Sequence, residues 1–260
     1  MGILNVNDAS FFSGSRVNEQ NIIALAQKHI DEGATFLDVG ATSTKPGEMI
    51  SNPDEEWKRL NGALQLLKRA FPEVYISIDT YHGSVAEKAI DAGADMINDI
   101  SAGSIDPKMI ETVVRLNVPY VLMHMQGTPE TMQVSPSYKD VVYEIFGALH
   151  QQVDRLRNAG LNDIIVDPGF GFGKSLEHNY QLLQQLEVFH KLKTPLLVGL
   201  SRKSLITRLL NVNADEALNG TTVLNTLSLQ KGAHILRVHD VKPAIEAIRI
   251  LQMLRSVKRK

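Results

Sequence analysis

Polar side chains with chemical potential recur at wide, fairly even intervals along this chain: Asn5, Asp38, Asp79, Asn98-Asp99, His124, Asp167, Ser201-Arg202-Lys203, and Arg237 with His239-Asp240. Each stands at the end of a short apolar run. A carboxylate accepts two hydrogen bonds side by side, and an asparagine both donates and accepts. Asp79, Asn98 and Asp167 could therefore grip an aromatic heterocycle bearing amino, amide and ring-nitrogen groups. Lys203, Arg237 and His239 supply cationic or proton-switchable groups suited to an anion such as phosphate. Asn5 offers a neutral oxygen, a donor suited to a hard cation such as Mg²⁺ that completes its shell from phosphate and water. There is no cysteine and no His-x-x-x-His pair, so a zinc centre is not expected. Taken singly, an Asp after a strand is more often a turn or helix cap. His124, flanked by methionines, reads as hydrogen-bonded and structural. Eight coincident strand ends make a functional mouth the better reading.

The elements that must carry these residues follow one local grammar. A helical pattern ends in Gly, a small or turn residue comes next, and a short apolar strand follows: "DEGATFLDVG", "DAGADMINDI", "NAGLNDIIVDPG" and "QKGAHILRVHD". Glycine is favoured just past a helix because it takes the left-handed conformation without a steric penalty. Two more strands follow proline, "NVPYVLMHM" and "KTPLLVGLS", and "MGILNV" and "VYISIDT" complete the set. The expected strands are Gly2–Asn5, Phe36–Asp38, Tyr75–Asp79, Met96–Asn98, Tyr120–Met123, Ile164–Asp167, Leu196–Gly199 and Ile235–Val238. Helical patterns fall at Ile22–Glu32, Glu55–Ala70, Val85–Ala92, Pro107–Leu116, Val141–Asn158, Leu176–Leu192, Ala217–Lys231 and Pro243–Leu254. Eight alternating βα units predict a parallel sheet closed into a (β/α)8 TIM barrel, whose active sites sit at the C-terminal ends of the strands. An open doubly wound sheet is the rival, but no G-x-G-x-x-G follows the first strand. No linker or composition break divides residues 1–260, so a single domain is expected.

Bulk properties exclude several functions. The 260 residues carry a formal net charge of −2, which argues against nucleic acid or a membrane surface as partner. Apolar runs are strand-sized, short of the ~20 residues a membrane helix needs. "MGILNVNDAS" has no signal-peptide pattern. A cytoplasmic protein acting on small molecules is the expectation.

The stretches "MGILNV", "DVGATSTKPG", "SIDTY", "MINDIS", "LMHMQGTPETMQ", "DPGFGFGK", "GLSRKS" and "ILRVHDV" together resemble one family, dihydropteroate synthase, in order and across nearly the whole chain. The resemblance implies that p-aminobenzoate is joined to 6-hydroxymethyl-7,8-dihydropterin diphosphate, with release of pyrophosphate, by a dissociative route through a pterin-methyl cation. It implies a pterin pocket of Asp79, Asn98, Met123, Asp167 and Lys203. Asn5, Lys45, Arg237 and His239 would serve the diphosphate, with Asn5 helping to hold Mg²⁺. Thr44, Pro46, Phe172, Lys203 and Ser204 would border p-aminobenzoate. Lys203, Asp167, Asp79 and Asp8 are the implied catalytic group, and a homodimer is implied as well.

The chain departs from the family in its first two loops. The usual N-V-T-P-D-S-F reads "NVNDASF", so the loop acid moves from the position of Ala9 to Asp8. The usual Arg of the second loop is Lys45, which keeps the charge but loses the bidentate fork. These changes motivate an alternative, a pterin-binding paralogue with reduced or lost turnover. A methyl-transferring barrel on the same pocket is a third reading, disfavoured by the anion-binding "SRKS" and "RVHD". In "IIVDPGFGFGKS" the glycine spacing does not match a nucleotide phosphate loop, and Lys174 is expected to support the loop rather than touch substrate.

Overall fold

The computed structural model describes residues 1–6, 16–42, 47 and 49–257. Parallel strands and helices alternate along it. In order they are β1 (Gly2–Asn5), α1 (Arg16–Asp31), β2 (Phe36–Gly40), α2 (Pro53–Ala70), β3 (Tyr75–Asp79), α3 (Gly83–Asp91), β4 (Met96–Asp99), α4 (Lys108–Leu116) and β5 (Tyr120–Met123). There follow α5 (Val141–Asn158), β6 (Ile164–Asp167), α6 (Leu176–Gln184), β7 (Leu197–Val198), α7 (Ser204–Leu210), α8 (Leu218–Gln230), β8 (Ile235–Leu236) and α9 (Val241–Ser256).

Gly33, Gly93, Gly160 and Gly232 all take positive φ, at 90–100°, where helix gives way to strand. The grammar read from the sequence is thus the repeating αβ turn of the fold. β1 to β6 pair in sequence order as one parallel sheet, and β7 pairs with β8. Two seams close the ring. Val166 N donates to Pro195 O at 3.0 Å between β6 and β7, and Ile3 N donates to Val238 O at 3.0 Å between β1 and β8. The eight expected strands form a (β/α)8 barrel.

The strand period of two sorts the side chains into two cores. Residues such as Leu37, Val39, Ile76, Ile78, Leu122, Val166 and Val198 point outward and join the helices in the main apolar core. Met96, Val121, Ile165 and Leu197 point inward and form a separate plug low in the barrel. Above that plug the inward positions turn polar, and the candidate site begins there.

Two helical details differ from the expectation. The pattern Leu176–Leu192 is not one helix: α6 ends at Gln184 and a 3-10 helix runs Leu186–Leu192. Leu186, Phe189 and Leu192 are all buried, and that spacing of three aligns on one face only at three residues per turn. The short α7 was not anticipated; with seven residues it is too brief for a clear helical period.

Candidate active site

Strand register lines up the upper inward row. Asn5 pairs beside Gly40, Gly40 beside Asp79, Asp79 beside Asn98, and across the ring Met123 lies beside Asp167. Gly40 leaves room for its neighbour: a Cβ there would stand 3.3 Å from the Asp79 Cβ. One layer lower Asp38 pairs beside Ser77, again inward.

A buried charge network holds this row. Arg237, just past β8, donates through Nε to Asp38 and through Nη2 to Asp79. Asp38 also accepts from Ser77 Oγ at 2.6 Å and from Asn98 Nδ2 at 3.1 Å. Its side chain is wholly buried, so each of these bonds replaces water that cannot reach it. Burial works against the Arg237 charge, but the two carboxylates outweigh it and raise its pKa. Asp79 is pushed up to about 7 by burial, opposed by Arg237 and reinforced by the Asp38 charge. Asp38 was not singled out as a binding residue in the sequence, although a charge inside "FLDVG", two positions before an inward glycine, is the signal that could have found it. The pair Asn98-Asp99 splits as a strand must. Asn98 faces the mouth, while Asp99 turns away to accept from Ser101, Gly103 and Tyr120 Oη.

On the opposite side stand Asp167, Lys203 and Phe172. Asp167 accepts from Gly169 N at 2.7 Å, and burial raises its pKa against the pull of Lys203 and Lys174. Lys203, the residue before α7, donates to Phe170 O at 2.7 Å and lies 4.6 Å over the Phe172 ring. Its pKa falls to about 8 because burial outweighs the Asp167 charge. Ser204, exposed at the start of α7, and buried Met123 complete this side.

The glycine-rich turn after β6 packs against the loop after β5. Gly169 takes φ +73°, and a Cβ there would fall 1.9 Å from His124 O. No side chain fits that approach. Lys174 is buried and donates to Phe172 O at 2.8 Å and His124 O at 3.3 Å, so it supports the turn rather than the mouth. Burial lowers its pKa to about 7 and that of His124 to about 3, leaving His124 a neutral structural residue.

His239 is exposed at one edge. Its amide donates to Ser201 Oγ at 3.2 Å, and its Nδ1 lies 3.0 Å from the same oxygen. The Ser201 hydroxyl has one proton and two lone pairs, so it pairs with Nδ1 in either tautomer of the ring. Desolvation of the ring, ahead of the Arg237 charge, lowers the pKa. His239 therefore stands as a neutral imidazole rather than a cation.

Asn5 is exposed at the end of β1, and no hydrogen bond to its side chain exists among the described residues. Nor do those residues contain a group of three His, Cys, Asp or Glu able to hold a metal. The structure thus brings together Asn5, Asp79, Asn98, Met123, Asp167, Phe172, Lys203, Ser204, Arg237 and His239 around one mouth. Asp8, Thr44, Lys45 and Pro46 lie outside the described residues.

A mouth of this kind can bind a polar heterocycle against carboxylates and an anion against Arg237, Lys203 and His239. Comparison with known proteins agrees. Residues 1–239 match the family model described as pterin binding enzyme. The dihydropteroate synthase of Escherichia coli (strain K12) is 42% identical over 99% of this chain and 92% of its own length. The structure of the Yersinia pestis dihydropteroate synthase with a sulfonamide drug complex superposes with a TM-score of 0.91 at 41% identity, covering 99% of this chain and 94% of that one. That of the Xanthomonas albilineans enzyme in complex with 7,8-dihydropteroate superposes at 0.88, with 34% identity over 99% and 94% of the two chains.

Proposed function

The chain belongs to the pterin binding enzymes and, among them, to the dihydropteroate synthases, and we propose that its barrel mouth joins p-aminobenzoate to 6-hydroxymethyl-7,8-dihydropterin diphosphate, forming 7,8-dihydropteroate and releasing pyrophosphate for folate synthesis. The observation that carries this is the inward row Asp79, Asn98, Met123 and Asp167 facing Lys203, with Arg237 and His239 beside it. The similarity to dihydropteroate synthases over nearly the whole chain speaks for turnover and against a pterin-binding paralogue without it.

In this reading the amino and ring N–H groups of the pterin donate to Asp167 and Asp79, while Asn98 and Lys203 complete the ring's edge. Met123 and Phe172 close its faces. Loss of pyrophosphate requires its growing negative charge to be met, and Arg237, Lys203 and the ring of His239 stand where they can do so. The carboxylates Asp79 and Asp167 then oppose the positive charge left on the pterin-methyl carbon until the aniline nitrogen of p-aminobenzoate captures it. Burial of these groups keeps water away from that reactive carbon. Asn5 fits a share in Mg²⁺: its amide oxygen, without a hydrogen bond among the described residues, suits a cation bound chiefly by diphosphate and water, and the described residues hold no carboxylate or histidine cage that competes. The cation would supply charge neutralisation at the leaving group.

An assay of pyrophosphate release with both substrates, with and without Mg²⁺, tests the reading. Absence of release in both conditions would overturn it. Asp79→Ala and Lys203→Ala should each weaken pterin binding in calorimetry; Lys203→Ala should change the unfolding temperature little, whereas Asp79→Ala should lower it by leaving the Arg237 Nη2 without its carboxylate.

A homodimer through α9 is part of the proposal. Ile250, Met253, Leu254 and Val257 are 66–68% exposed at helical spacing, and Val223 and Leu227 of the adjoining α8 extend the apolar surface. A stable dimer typically needs about 800 Å² per partner, within reach of two such helices. Sedimentation of Met253→Glu, expected to be monomeric, checks it. No described helix is long and apolar enough to cross a membrane. A cytoplasmic location belongs to the same proposal, supported by the cysteine-free composition, and cell fractionation tests it.

A further inference from the structure

Ser51, between the second loop and α2, is held at every polar atom. Its amide donates to Tyr81 Oη at 2.9 Å, and its Oγ donates to Glu56 Oε2 at 2.9 Å and lies 3.0 Å from Tyr81 Oη. Its carbonyl accepts from His82 Nε2 at 2.9 Å. These partners are no ordinary surface groups: the Glu56 side chain is wholly buried, Tyr81 is 1% exposed and His82 9%. Burial raises the Glu56 pKa, against hydrogen bonds from Thr80 and Ser51. A buried carboxyl group thus holds the Ser51 hydroxyl through its Oε2.

Tyr81 has a second face. Its ring shares an apolar cluster with Met123, Phe172, Ile100 and Met132, separate from both the main core and the barrel plug. Met123 and Phe172 are the walls assigned above to the pterin and to p-aminobenzoate. Tyr81 also stands two residues after Asp79, joined to it through Thr80, whose amide is bonded to Asn98 O at 3.0 Å.

We infer that Tyr81 is a positioning residue, its hydroxyl fixing the Ser51 foot of the second loop while its ring braces the Met123–Phe172 wall, so that the foot and the aryl-amine side of the mouth are set together. The inference rests on the reading of that wall as the p-aminobenzoate side. Glu56 and His82 complete the anchor by holding the hydroxyl and carbonyl of Ser51.

Tyr81→Phe removes the hydroxyl and keeps the ring. Hydrogen exchange of the Ser51 amide, read by mass spectrometry on the peptide 49–57, should accelerate by about three- to tenfold for one lost hydrogen bond. KM for p-aminobenzoate should rise by a similar factor, while kcat and pterin affinity stay within about twofold. Ser51→Ala keeps the amide bond to Tyr81 and loses the hydroxyl's bonds to Tyr81 and Glu56; it too should raise KM, and the double variant should fall short of the sum, since the Oγ–Oη contact is common to both. Unchanged exchange at Ser51 overturns the anchor. Faster exchange with an unchanged KM, or with only a lower melting temperature, overturns the positioning role and leaves Tyr81 a stabilising residue. Failure of the wild type to release pyrophosphate would instead defeat the proposed reaction, and the exchange measurement would still decide the anchor.

Discussion

Asp38→Asn removes a buried charge from the centre of the mouth while keeping its shape. The asparagine can retain the bond from Ser77 Oγ, but its amide then faces two donors, Asn98 Nδ2 and Arg237 Nε. A lost hydrogen bond costs about 0.5–1.5 kcal/mol when neutral and about 1.5–3 when one partner is charged. Together these give roughly 2–4 kcal/mol. That falls at or below the ~3–5 kcal/mol for breaking a buried ion pair, because Asp79 still serves Arg237. At about 2–4 °C per kcal/mol for a chain of this size, the melting temperature should drop by roughly 5–15 °C. Pterin affinity should fall as well, since Asn98 loses its holder. Scanning calorimetry and a pterin titration measure the two effects. The double variant Asp38→Asn, Arg237→Met should lose less than the sum of the single losses, because the unpaired guanidinium is gone. A melting temperature within about 2 °C of wild type, or strict additivity, would refute the network as the organiser of the mouth.

Asp79 titrates near 7 in the fold against 3.8 in the open chain. Its contribution to stability is therefore full below pH 3.8 and lost as pH rises to about 7. Asp79→Asn should flatten the melting temperature against pH across that window, and an unchanged slope would place the titration elsewhere. Gly169→Ala should cost more than ~3 kcal/mol, since a Cβ 1.9 Å from His124 O must move backbone, and should abolish pterin binding by displacing Asp167. Gly62→Ala, inside α2 with nothing within 4 Å of the added carbon, should instead stabilise by about 0.5–1 kcal/mol; chemical denaturation of both separates the two cases.

Much of this protein was legible in one dimension. Helix-ending glycines and proline stops mark αβ junctions because few residues tolerate the conformations found there. The strands that follow are apolar on both faces because a parallel barrel buries both. Polar residues at the strand ends announced a mouth, and Asp79, Asn98, Met123, Asp167, Lys203, Arg237 and His239 do converge there. The short α7 and the break after Gln184 were less legible, being too brief to display a period.

What the chain order could not show is which polar groups answer each other. Adjacent Asn98 and Asp99 look equivalent in sequence, yet strand alternation sends one into the mouth and the other to Tyr120. Asp38 and Arg237 are 199 residues apart and meet only when the ring closes. Ser51 and Tyr81 are joined because α2 returns the chain antiparallel to β2 before β3 begins. Local sequence determined the elements and their polar ends, since those depend on backbone conformation and burial of neighbours. Charge pairing and proton affinity were decided by the tertiary structure, since they depend on distances and on exclusion of water that no stretch of chain sets alone.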